Sequence, residues 1–538
     1  MTRRCPSTPL GSRPGPQVPG WLLASVLVAC SARESPSPAP SSREVSPQAQ
    51  TPMVPAPEEV PRARPVTHLT THDPAALRGL ELGQLSSLEL SLSLEDTTAR
   101  LAAQLPDPPE DACAQLDLLA LAPRLPALRT LRVAGCEDAV RAGLGELSAQ
   151  LTTLQLTDMV LDPVLAGRIA SVRTLETLEL TRVSVRDVEA VRAALASASF
   201  RVLHVEEGSA HVLNAVRGMY EPVSELRLEG RWLGPDVLSA LSRMRHLRIV
   251  RLSQTEISNY GLSFLRNLPG LEALHLDEET VNNQSPMYLR GLPLRSLSCR
   301  CPGLGDVGAR HLRQLNALER LRLEDTALTN EGVTSLGQLS ALTDIVLAGA
   351  DVADVGLRAL TVLPGLRRLD LRSASLDDAD LRPLAEATSL RALTLRGPGV
   401  KDPTLRIIAD LEQLESLDLE GTQVSDLGLR HLRSLSGLRH LNLRGTRVSQ
   451  RGFESLQRLT SLTSLDLGDT DVVDAAIRQI AAVASLEELR LDGTLVTAEG
   501  LRPLRELPRL QLVDLRNTRV DPSDGRDALP GVKLAPPS

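Results

Sequence analysis

The chain has 538 residues, a formal net charge of −8 with acidic and basic residues mixed along it, and an aromatic content of 1%. This charge gives no support to nucleic-acid binding, which requires a concentrated basic surface. The length exceeds what one compact hydrophobic core accommodates, whereas a solenoid of repeats has no such limit.

An apolar segment near the N terminus predicts export. Residues 21–29 form an apolar run that follows several arginines and is too short to span a bilayer. The run ends in Leu27-Val28-Ala29-Cys30, which resembles the lipobox of bacterial lipoprotein signal peptides, where the cysteine is lipidated. We therefore predict a signal peptide over residues 1–30 and lipidation of Cys30. The alternatives are an ordinary cleaved signal and a wrongly assigned start.

The segments that follow predict a tethered protein. The resemblance implies the bacterial envelope, and because Ser31 and Ala32 replace the aspartate that retains some lipoproteins at the inner membrane, it implies the outer membrane, facing the periplasm or the cell surface. Residues 31–66 are rich in Pro, Ser and Ala, which predicts a disordered linker with a reach of roughly 100 Å. Residues 67–127 are irregular and predict an N-terminal cap with one degenerate strand near Leu85.

Residues 128–520 consist of repeats of about 24 residues. Leucine recurs at positions 1, 4 and 6 with polar residues between, which predicts a short strand, and later apolar residues recur every three positions, which predicts a helix or 3₁₀ segment. One repeat cannot bury both faces, so we predict an α/β solenoid with a parallel sheet on the concave side and short helices on the convex side. Residues 521–538 predict a C-terminal cap. The repeats start at Leu128, Leu151, Leu175, Phe200, Val223, Leu247, Leu271, Leu294, Leu318, Leu342, Leu366, Leu390, Leu414, Leu438, Leu462, Leu486 and Leu510.

Three other positions recur, and we interpret all of them as structural. Asp or Asn at position 13 predicts capping of the free N–H groups at a helix start rather than cation binding. Thr at position 9 is expected to hydrogen-bond neighbouring loop backbone. Gly at position 15 is expected to let convex segments approach closely. The position-13 residues are Asp187, Asn259, Asn283, Asp306, Asn330, Asp354, Asp378, Asp402, Asp426 and Asp474.

The pattern LxxLxLxxTxVxDxGLxxLxxL resembles the bacterial relatives of cysteine-containing leucine-rich repeats, a class also found beside F-boxes in eukaryotes. The resemblance covers residues 128–520 and implies a leucine-rich repeat solenoid that acts as a protein-binding platform. It carries over no catalytic residues. The sequence shows no F-box-like helical module, so a role in ubiquitin ligation is not implied.

The cysteines allow several interpretations. Cys136 occupies position 9, where the cysteine-containing class often has Cys, so a buried thiol is one interpretation. An exported protein also permits a Cys113–Cys136 disulfide. Cys299 takes a position-6 slot of the leucine ladder and is expected in the core. We see no further ligands that would make a metal site of Cys299 and Cys301.

The exposed side of the predicted sheet is the default binding surface, because its side chains vary while the leucine ladder is fixed. Its positions 5 and 7 carry charges of both signs on strands about 4.8 Å apart, which predicts a mosaic of opposite charges. This mosaic is either a self-paired, solvated face or a protein-binding site anchored by arginines. The candidate binding residues are Asp370, Arg372, Arg396, Asp418, Glu420 and Arg444, and then Trp232 in the aromatic-rich repeats of residues 200–288.

We find no nucleophile elbow, phosphate loop, HExxH motif or dinucleotide fingerprint. The expected function is therefore non-enzymatic protein binding without a cofactor, with membrane contact only through the lipid anchor. Two alternatives remain: an architectural envelope protein without a discrete partner, and a carbohydrate- or peptidoglycan-binding module. The second is disfavoured because the predicted concave face lacks aromatic platforms for sugar stacking.

Overall fold

The computed structural model describes residues 68–71, 87–91, 125, 127–146, 151–216, 223–231, 234–372 and 376–535. Several sequence predictions lie outside these residues: the signal peptide with Cys30, the linker, most of the N-terminal cap, Cys113 and Trp232. Among the described residues, no helix is both long enough and apolar enough to cross a membrane.

The alternating leucines form the predicted strands, one in each repeat, and the repeats that start at Leu151 and Leu175 each add a second, two-residue strand. Each strand has two to five residues. The strands are β1 His68–Thr71, β2 Ser87–Ser91, β3 Thr130–Ala134, β4 Thr153–Thr157, β5 Val160–Leu161, β6 Thr177–Thr181, β7 Ser184–Val185, β8 Val202–Glu206, β9 Glu225–Glu229, β10 Ile249–Ser253, β11 Ala273–Asp277, β12 Ser296–Arg300, β13 Arg320–Glu324, β14 Asp344–Ala348, β15 Arg368–Arg372, β16 Ala392–Arg396, β17 Ser416–Asp418, β18 His440–Asn442, β19 Ser464–Asp466, β20 Glu488–Arg490, β21 Leu512–Asp514 and β22 Lys533–Leu534.

Within the described part of the chain, twenty of these strands form one sheet, and β5 and β7 form a second, two-stranded one. Each strand of the large sheet pairs in parallel with its neighbours in the sequence, and equivalent repeat positions face each other. Leu393, for example, lies between Leu369 and Leu417. This regular register confirms the predicted α/β solenoid.

Short helices return the chain from one strand to the next. In some repeats 3₁₀ segments replace the α-helix, and in others they directly follow it, as the three-residue apolar spacing predicts. The α-helices are α1 Glu137–Gly143, α2 Pro163–Ser171, α3 Val188–Leu195, α4 Ala210–Val216, α5 Pro235–Leu241, α6 Asn259–Leu262, α7 Ser285–Tyr288, α8 Asp306–Leu312, α9 Asn330–Leu336, α10 Asp354–Thr361, α11 Asp402–Ile407, α12 Asp426–Leu429, α13 Asp474–Ile480 and α14 Pro522–Ala528. The 3₁₀ segments are Ser263–Asn267, Arg382–Glu386, Ile408–Asp410, Arg430–Ser434, Phe453–Arg458 and Arg502–Glu506.

The core is one continuous ladder of leucines between the sheet and the helices. In the repeat that starts at Leu414, the leucines at positions 1, 4 and 6 are almost fully buried. The polar residues that alternate with them lie on the other side of the sheet. Burial of each leucine side chain contributes about 1.5–3 kcal/mol, and this is the main stabilising contribution of each repeat.

Both ends of the array contain sheet strands outside the predicted repeats. At the N-terminal end, β1 pairs with β2, and β2 with β3. The sequence predicted one degenerate strand, which β2 matches, and missed β1. At the other end, β22 pairs with β21 in the segment predicted as a cap.

The position-13 side chains mostly cap the helix of the following repeat, which differs from our prediction. The Asn330 Oδ1 atom accepts hydrogen bonds from the backbone N–H groups of Ala353 (2.8 Å) and Gly356 (3.0 Å), at the start of α10. Asp306 does the same for the repeat after it. Asp187 caps its own helix, as predicted. These side chains therefore link successive repeats as well as capping helices.

The glycines at position 15 belong to the same arrangement. A Cβ atom on Gly356 would lie 2.6 Å from Asn330 Oδ1 and 3.2 Å from its Cα atom. Gly428 and Gly452 meet the preceding Asp402 and Asp426 in the same way, at 2.5 and 2.6 Å. The glycine is therefore required because the capping side chain of the preceding repeat fills the space a Cβ atom would occupy.

The threonines at position 9 mostly hydrogen-bond loop backbone, as predicted. The Thr422 hydroxyl donates to the Leu419 carbonyl at 2.7 Å, within its own repeat. Thr255 differs, because its hydroxyl donates to the buried Glu278 carboxylate of the next repeat. Burial raises the pKa of Glu278, although hydrogen bonds from Thr255 and Glu256 act against this.

The cysteines differ from the prediction in one respect. Cys299 is buried in the core as expected, but it forms a disulfide with Cys301. Residues two apart on a strand point to the same face, and the 5.5 Å between these Cα atoms suits a disulfide. Cys136 is disulfide-bonded as well. Because Cys113 lies outside the described residues, the Cys113–Cys136 pairing stays a prediction.

Candidate protein-binding surface

The concave face consists of the side chains at positions 3, 5 and 7 of each repeat, on the side of the sheet opposite the leucine ladder. The structure places Asp370, Arg372, Arg396, Asp418, Glu420 and Arg444 together on this face, on β15 to β17 and two residues after the ends of β17 and β18. Oppositely charged neighbours form ion pairs along it, so the predicted charge mosaic is present.

Arg372 is paired within the sheet. Its Nε atom lies 3.0 Å from Asp370 Oδ1, and an Nη atom lies 3.5 Å from Glu324, two strands away. Burial raises the pKa of Asp370, and the neighbouring positive charge of Arg372 limits that rise. The carboxylate that holds Arg372 is thus almost fully removed from water.

Arg396 is paired with two carboxylates of the next repeat. Its Nη2 atom lies 2.7 Å from Asp418 Oδ2 and 2.9 Å from Glu420 Oε2. Burial acts to lower the pKa of Arg396, but the hydrogen bond to Asp418 and the surrounding carboxylates raise it overall. Arg396 therefore neutralises part of an acidic cluster in its own sheet.

Arg444 reaches across a whole repeat. Its guanidinium forms a two-point ion pair with Asp492, 48 residues further along the chain, and lies 3.1 Å from Asp469. The guanidinium crosses the intervening repeat at Gly468, two residues after β19, where a Cβ atom would collide with it. Burial raises the pKa of Asp492, and the Arg444 charge opposes that rise. A glycine at position 7 was the sequence signal for this contact.

The three predicted arginine anchors are therefore all engaged with carboxylates of the same sheet. The candidate-site hypothesis stays a prediction, but a partner would have to compete with these internal pairs. Two other arginines of the concave face, Arg320 and Arg368, are exposed, and their side chains have no ion-pair or hydrogen-bond partner among the described residues. The sequence analysis did not single them out, because it compared only positions 5 and 7.

Arg320 and Arg368 border a depression of about 400 Å³ on strands β11 to β15. A second depression, of about 860 Å³, lies at the edge of strands β3 to β8 and includes Arg129, Arg173 and Arg201. The second one is bordered mainly by residues that precede the strands, so it lies beside the concave face rather than on it.

The described aromatic side chains mostly fill the convex side. Phe264 and Tyr288 pack against the core, and Phe200 is fully buried within it. Tyr260 is exposed and meets the Phe264 ring edge-on at a centroid distance of 5.4 Å. This favours packing for Phe200, Phe264 and Tyr288, while a binding role for Trp232 stays a prediction.

No protein-family model and no curated protein sequence matches the chain. Among solved structures, the chain is similar to that of the mouse RP105/MD-1 complex, with 16% identity over 83% of this chain and 77% of the other and a TM-score of 0.51. An internalin from Listeria monocytogenes has 21% identity over 65% and 89% of the two chains, with a TM-score of 0.40. A leucine-rich repeat protein from Leptospira interrogans has 16% identity over 73% and 91%, with a TM-score of 0.39. The chain has the fold of a leucine-rich repeat solenoid.

Proposed function

We propose that this chain is a non-enzymatic protein-binding scaffold, displayed on the bacterial envelope through a lipid anchor at Cys30. The observation that carries the proposal is the concave face, a continuous parallel sheet that presents charged side chains while the leucines fix the backbone. A surface of this kind can change its partner without changing its fold. The mouse structure of the same fold is a complex with MD-1, which supports a protein as the class of partner.

The display part of the proposal rests on the N-terminal sequence. The lipobox-like segment ending at Cys30 supplies an anchor, and residues 31–66 supply a Pro- and Ser-rich tether. In an extended state this tether reaches roughly 100 Å, which holds the solenoid away from the membrane surface.

The anchor is tested by replacing Cys30 with alanine in cells that incorporate a fatty-acid probe. The wild-type protein should carry the probe and sediment with membranes, and the Cys30→Ala protein should do neither. Equal labelling of the two proteins would exclude lipidation at this residue.

Partner binding is tested with the full unlipidated chain, immobilised and exposed to envelope extracts. The proposal predicts a discrete protein whose capture saturates and is competed by excess untagged chain. Replacing Arg372, Arg396 and Arg444 together with alanine should weaken capture, most visibly at low salt. Because Arg444 is paired with the buried Asp492, this variant should also melt at a lower temperature.

One observation favours a second candidate, an architectural envelope protein without a discrete partner. All three predicted anchors already pair with carboxylates of their own sheet, as a purely structural face requires. The absence of any saturable partner in the capture experiment would favour this candidate.

A further inference from the structure

Arg320 and Arg368 differ from the other arginines discussed on the concave face. Both occupy position 3, on β13 and β15, so they lie two strands and about 10 Å apart. Asp344 lies between them on β14, and its carboxylate accepts a hydrogen bond from the Thr343 hydroxyl at 2.6 Å. Neither arginine lies within ion-pair distance of any carboxylate in the described part of the chain. Their guanidinium groups are therefore available to a ligand.

The pocket between them combines charge, hydrogen-bonding groups and one apolar surface. We call it the Arg320–Arg368 pocket, and its volume is about 400 Å³. Val346 contributes the apolar surface and is nearly buried in the sheet, where most concave positions are polar. The hydroxyl groups of Ser296 and Ser298 also line the pocket, and neither has a hydrogen-bond partner among the described residues.

The pocket keeps its positive character at neutral pH. It contains Arg320 and Arg368 and one carboxylate, that of Asp344. The third arginine of its lining, Arg322, is paired with Glu324 at 2.6 Å and adds no net charge. His275 lines it as well, and burial together with the nearby Arg251 lowers the pKa of His275 to about 4. His275 is thus neutral at pH 7, so it offers a hydrogen bond without adding charge.

We propose that the Arg320–Arg368 pocket binds an acidic, extended segment of a protein partner. Arg320 and Arg368 each bind one carboxylate of this segment, and an aliphatic side chain between the carboxylates packs on Val346. An extended peptide rises about 3.3 Å per residue and its successive side chains point to opposite faces, so two carboxylates four residues apart and the aliphatic side chain midway between them all face the pocket. These carboxylates are roughly 13 Å apart, which two long arginine side chains on strands about 10 Å apart can reach. The inference rests on the proposed function and names the chemistry of the partner.

The surroundings of the pocket favour an acidic peptide over a polyanion such as nucleic acid. Asp277, Glu324 and Asp370 lie on the same face close to the pocket. A ligand with a charge on every unit would place some of its charges against these carboxylates. A segment with two carboxylates separated by neutral residues avoids this repulsion.

The inference is tested by fluorescence anisotropy with the full unlipidated chain and a dye-labelled, end-capped peptide that contains Glu-Ser-Val-Ser-Glu in a Gly/Ser background. A matched peptide contains Gln-Ser-Val-Ser-Gln. We expect the Glu peptide to bind, and the Arg320→Gln/Arg368→Gln variant to bind it about tenfold or more weakly, because charge-assisted hydrogen bonds are lost. The Gln peptide should bind the wild type more weakly than the Glu peptide does, by a similar factor.

Two control variants each remove two positive charges outside the Arg320–Arg368 pocket. Arg430→Gln/Arg433→Gln changes exposed residues of a convex 3₁₀ segment, and Arg129→Gln/Arg173→Gln changes the edge depression. Both controls should bind the Glu peptide as the wild type does, and all variants should melt like the wild type. Absence of binding by the wild type, an equal loss in either control, or tighter binding of a single-stranded oligonucleotide at the same pocket would overturn the inference.

The same variants separate this inference from the proposed function. If the captured envelope protein binds the Arg320→Gln/Arg368→Gln variant as well as it binds the wild type, the inference is wrong and the scaffold function stands. If the Glu peptide binds in an arginine-dependent way but no envelope protein is captured saturably, the scaffold function is wrong and the chemistry of the pocket stands.

Discussion

Single residues of the strands alternate between two very different environments, and this alternation was predictable from the leucine spacing. Leu441 is 2% exposed in the core, while its neighbours His440 and Asn442 face the other side of the sheet. A new charge should therefore be strongly destabilising at one position and nearly neutral at the next.

Leu441→Asp should destabilise the protein severely. The new carboxylate enters the leucine ladder without a partner, which costs several kcal/mol unless the group is neutralised. His440→Asp places the same group on the exposed face next to Ser416 and Ser464, and should change stability by no more than about 0.5 kcal/mol. Thermal melts of the two variants check this, and similar melting temperatures would mean that the register is wrong.

Asn442 is unsuitable as the control for this comparison. Its side-chain amide donates to Asp418 at 3.1 Å and lies 3.4 Å from Glu420. Aspartate there would place a third carboxylate beside these two. The leucine alternation predicts that Asn442 lies on the same face as His440, but it could not show that the Asn442 amide contacts two carboxylates.

The capping side chains and the glycines were each visible in the sequence, but the contact between them was not. It joins position 13 of one repeat to position 15 of the next, so only the packing of successive repeats reveals it. Two exceptions agree with this explanation. Thr404 replaces the glycine after Asp378 and donates its hydroxyl to that carboxylate, and Ala476 occurs where the preceding position 13 is Gln450.

Gly356→Ala should destabilise the protein, although alanine favours helices. The added methyl group meets the cap Asn330 in the preceding repeat, and such overpacking costs about 1–3 kcal/mol. Gly167→Ala in α2 is the matched control, because a Cβ atom there meets nothing within 4 Å. It should raise stability by about 0.5–1 kcal/mol. Melting curves showing Gly356→Ala as stable as Gly167→Ala would contradict the proposed contact.

At the scale of strands and helices, the sequence predicted a charge mosaic but not its pairing. Arg444 and Asp492 are 48 residues apart, and their contact depends on the missing side chain of Gly468 between them. Such an ion pair forms only where the arginine is long enough to reach the carboxylate and the residue between them has no side chain in the way. Repeat position alone therefore identifies which residues share a face, but not which of them remain free.

Strands β19 and β21 carry aspartates whose pKa values shift in opposite directions. Burial raises the pKa of Asp466, although the Gly468 N–H group and two arginines act against this. Burial also acts on Asp514, but its hydrogen bonds from Arg516 lower the pKa overall. The two residues should therefore contribute oppositely to the pH dependence of stability.

An aspartate with a raised pKa binds its proton more tightly in the folded state, so its contribution to stability grows as pH falls through that pKa. An aspartate with a lowered pKa contributes stability above its unfolded value of about 3.9 and loses that contribution as pH falls through its folded pKa. Relative to the wild type, Asp466→Asn should thus melt highest near pH 7 and lose this advantage toward pH 4. Asp514→Asn should be at its greatest disadvantage near pH 7. Melts from about pH 2.5 to 7 in which both variants change in the same direction relative to the wild type would contradict these assignments.

At the scale of the whole molecule, the repeats were predictable and their ends were less so. The leucine ladder recurs in many repeats, so the pattern can be recognised even where single positions depart from it, as Cys299 does. β1 consists only of His68–Thr71 and contains one leucine among four residues, which is too little to recognise as a repeat. A strand that joins the sheet without the repeat spacing leaves no periodic signal to detect.

The central claim is that the concave face binds a protein, and site-specific photo-crosslinking in intact envelopes tests it most directly. In one variant a photo-reactive amino acid replaces Thr394, which lies on β16 between Asp370 and Asp418. In a second variant it replaces the exposed Arg433 on the convex side. We expect one discrete crosslinked protein from position 394 and none from position 433. A crosslink from position 433 alone, or no crosslink from either position, would contradict the account.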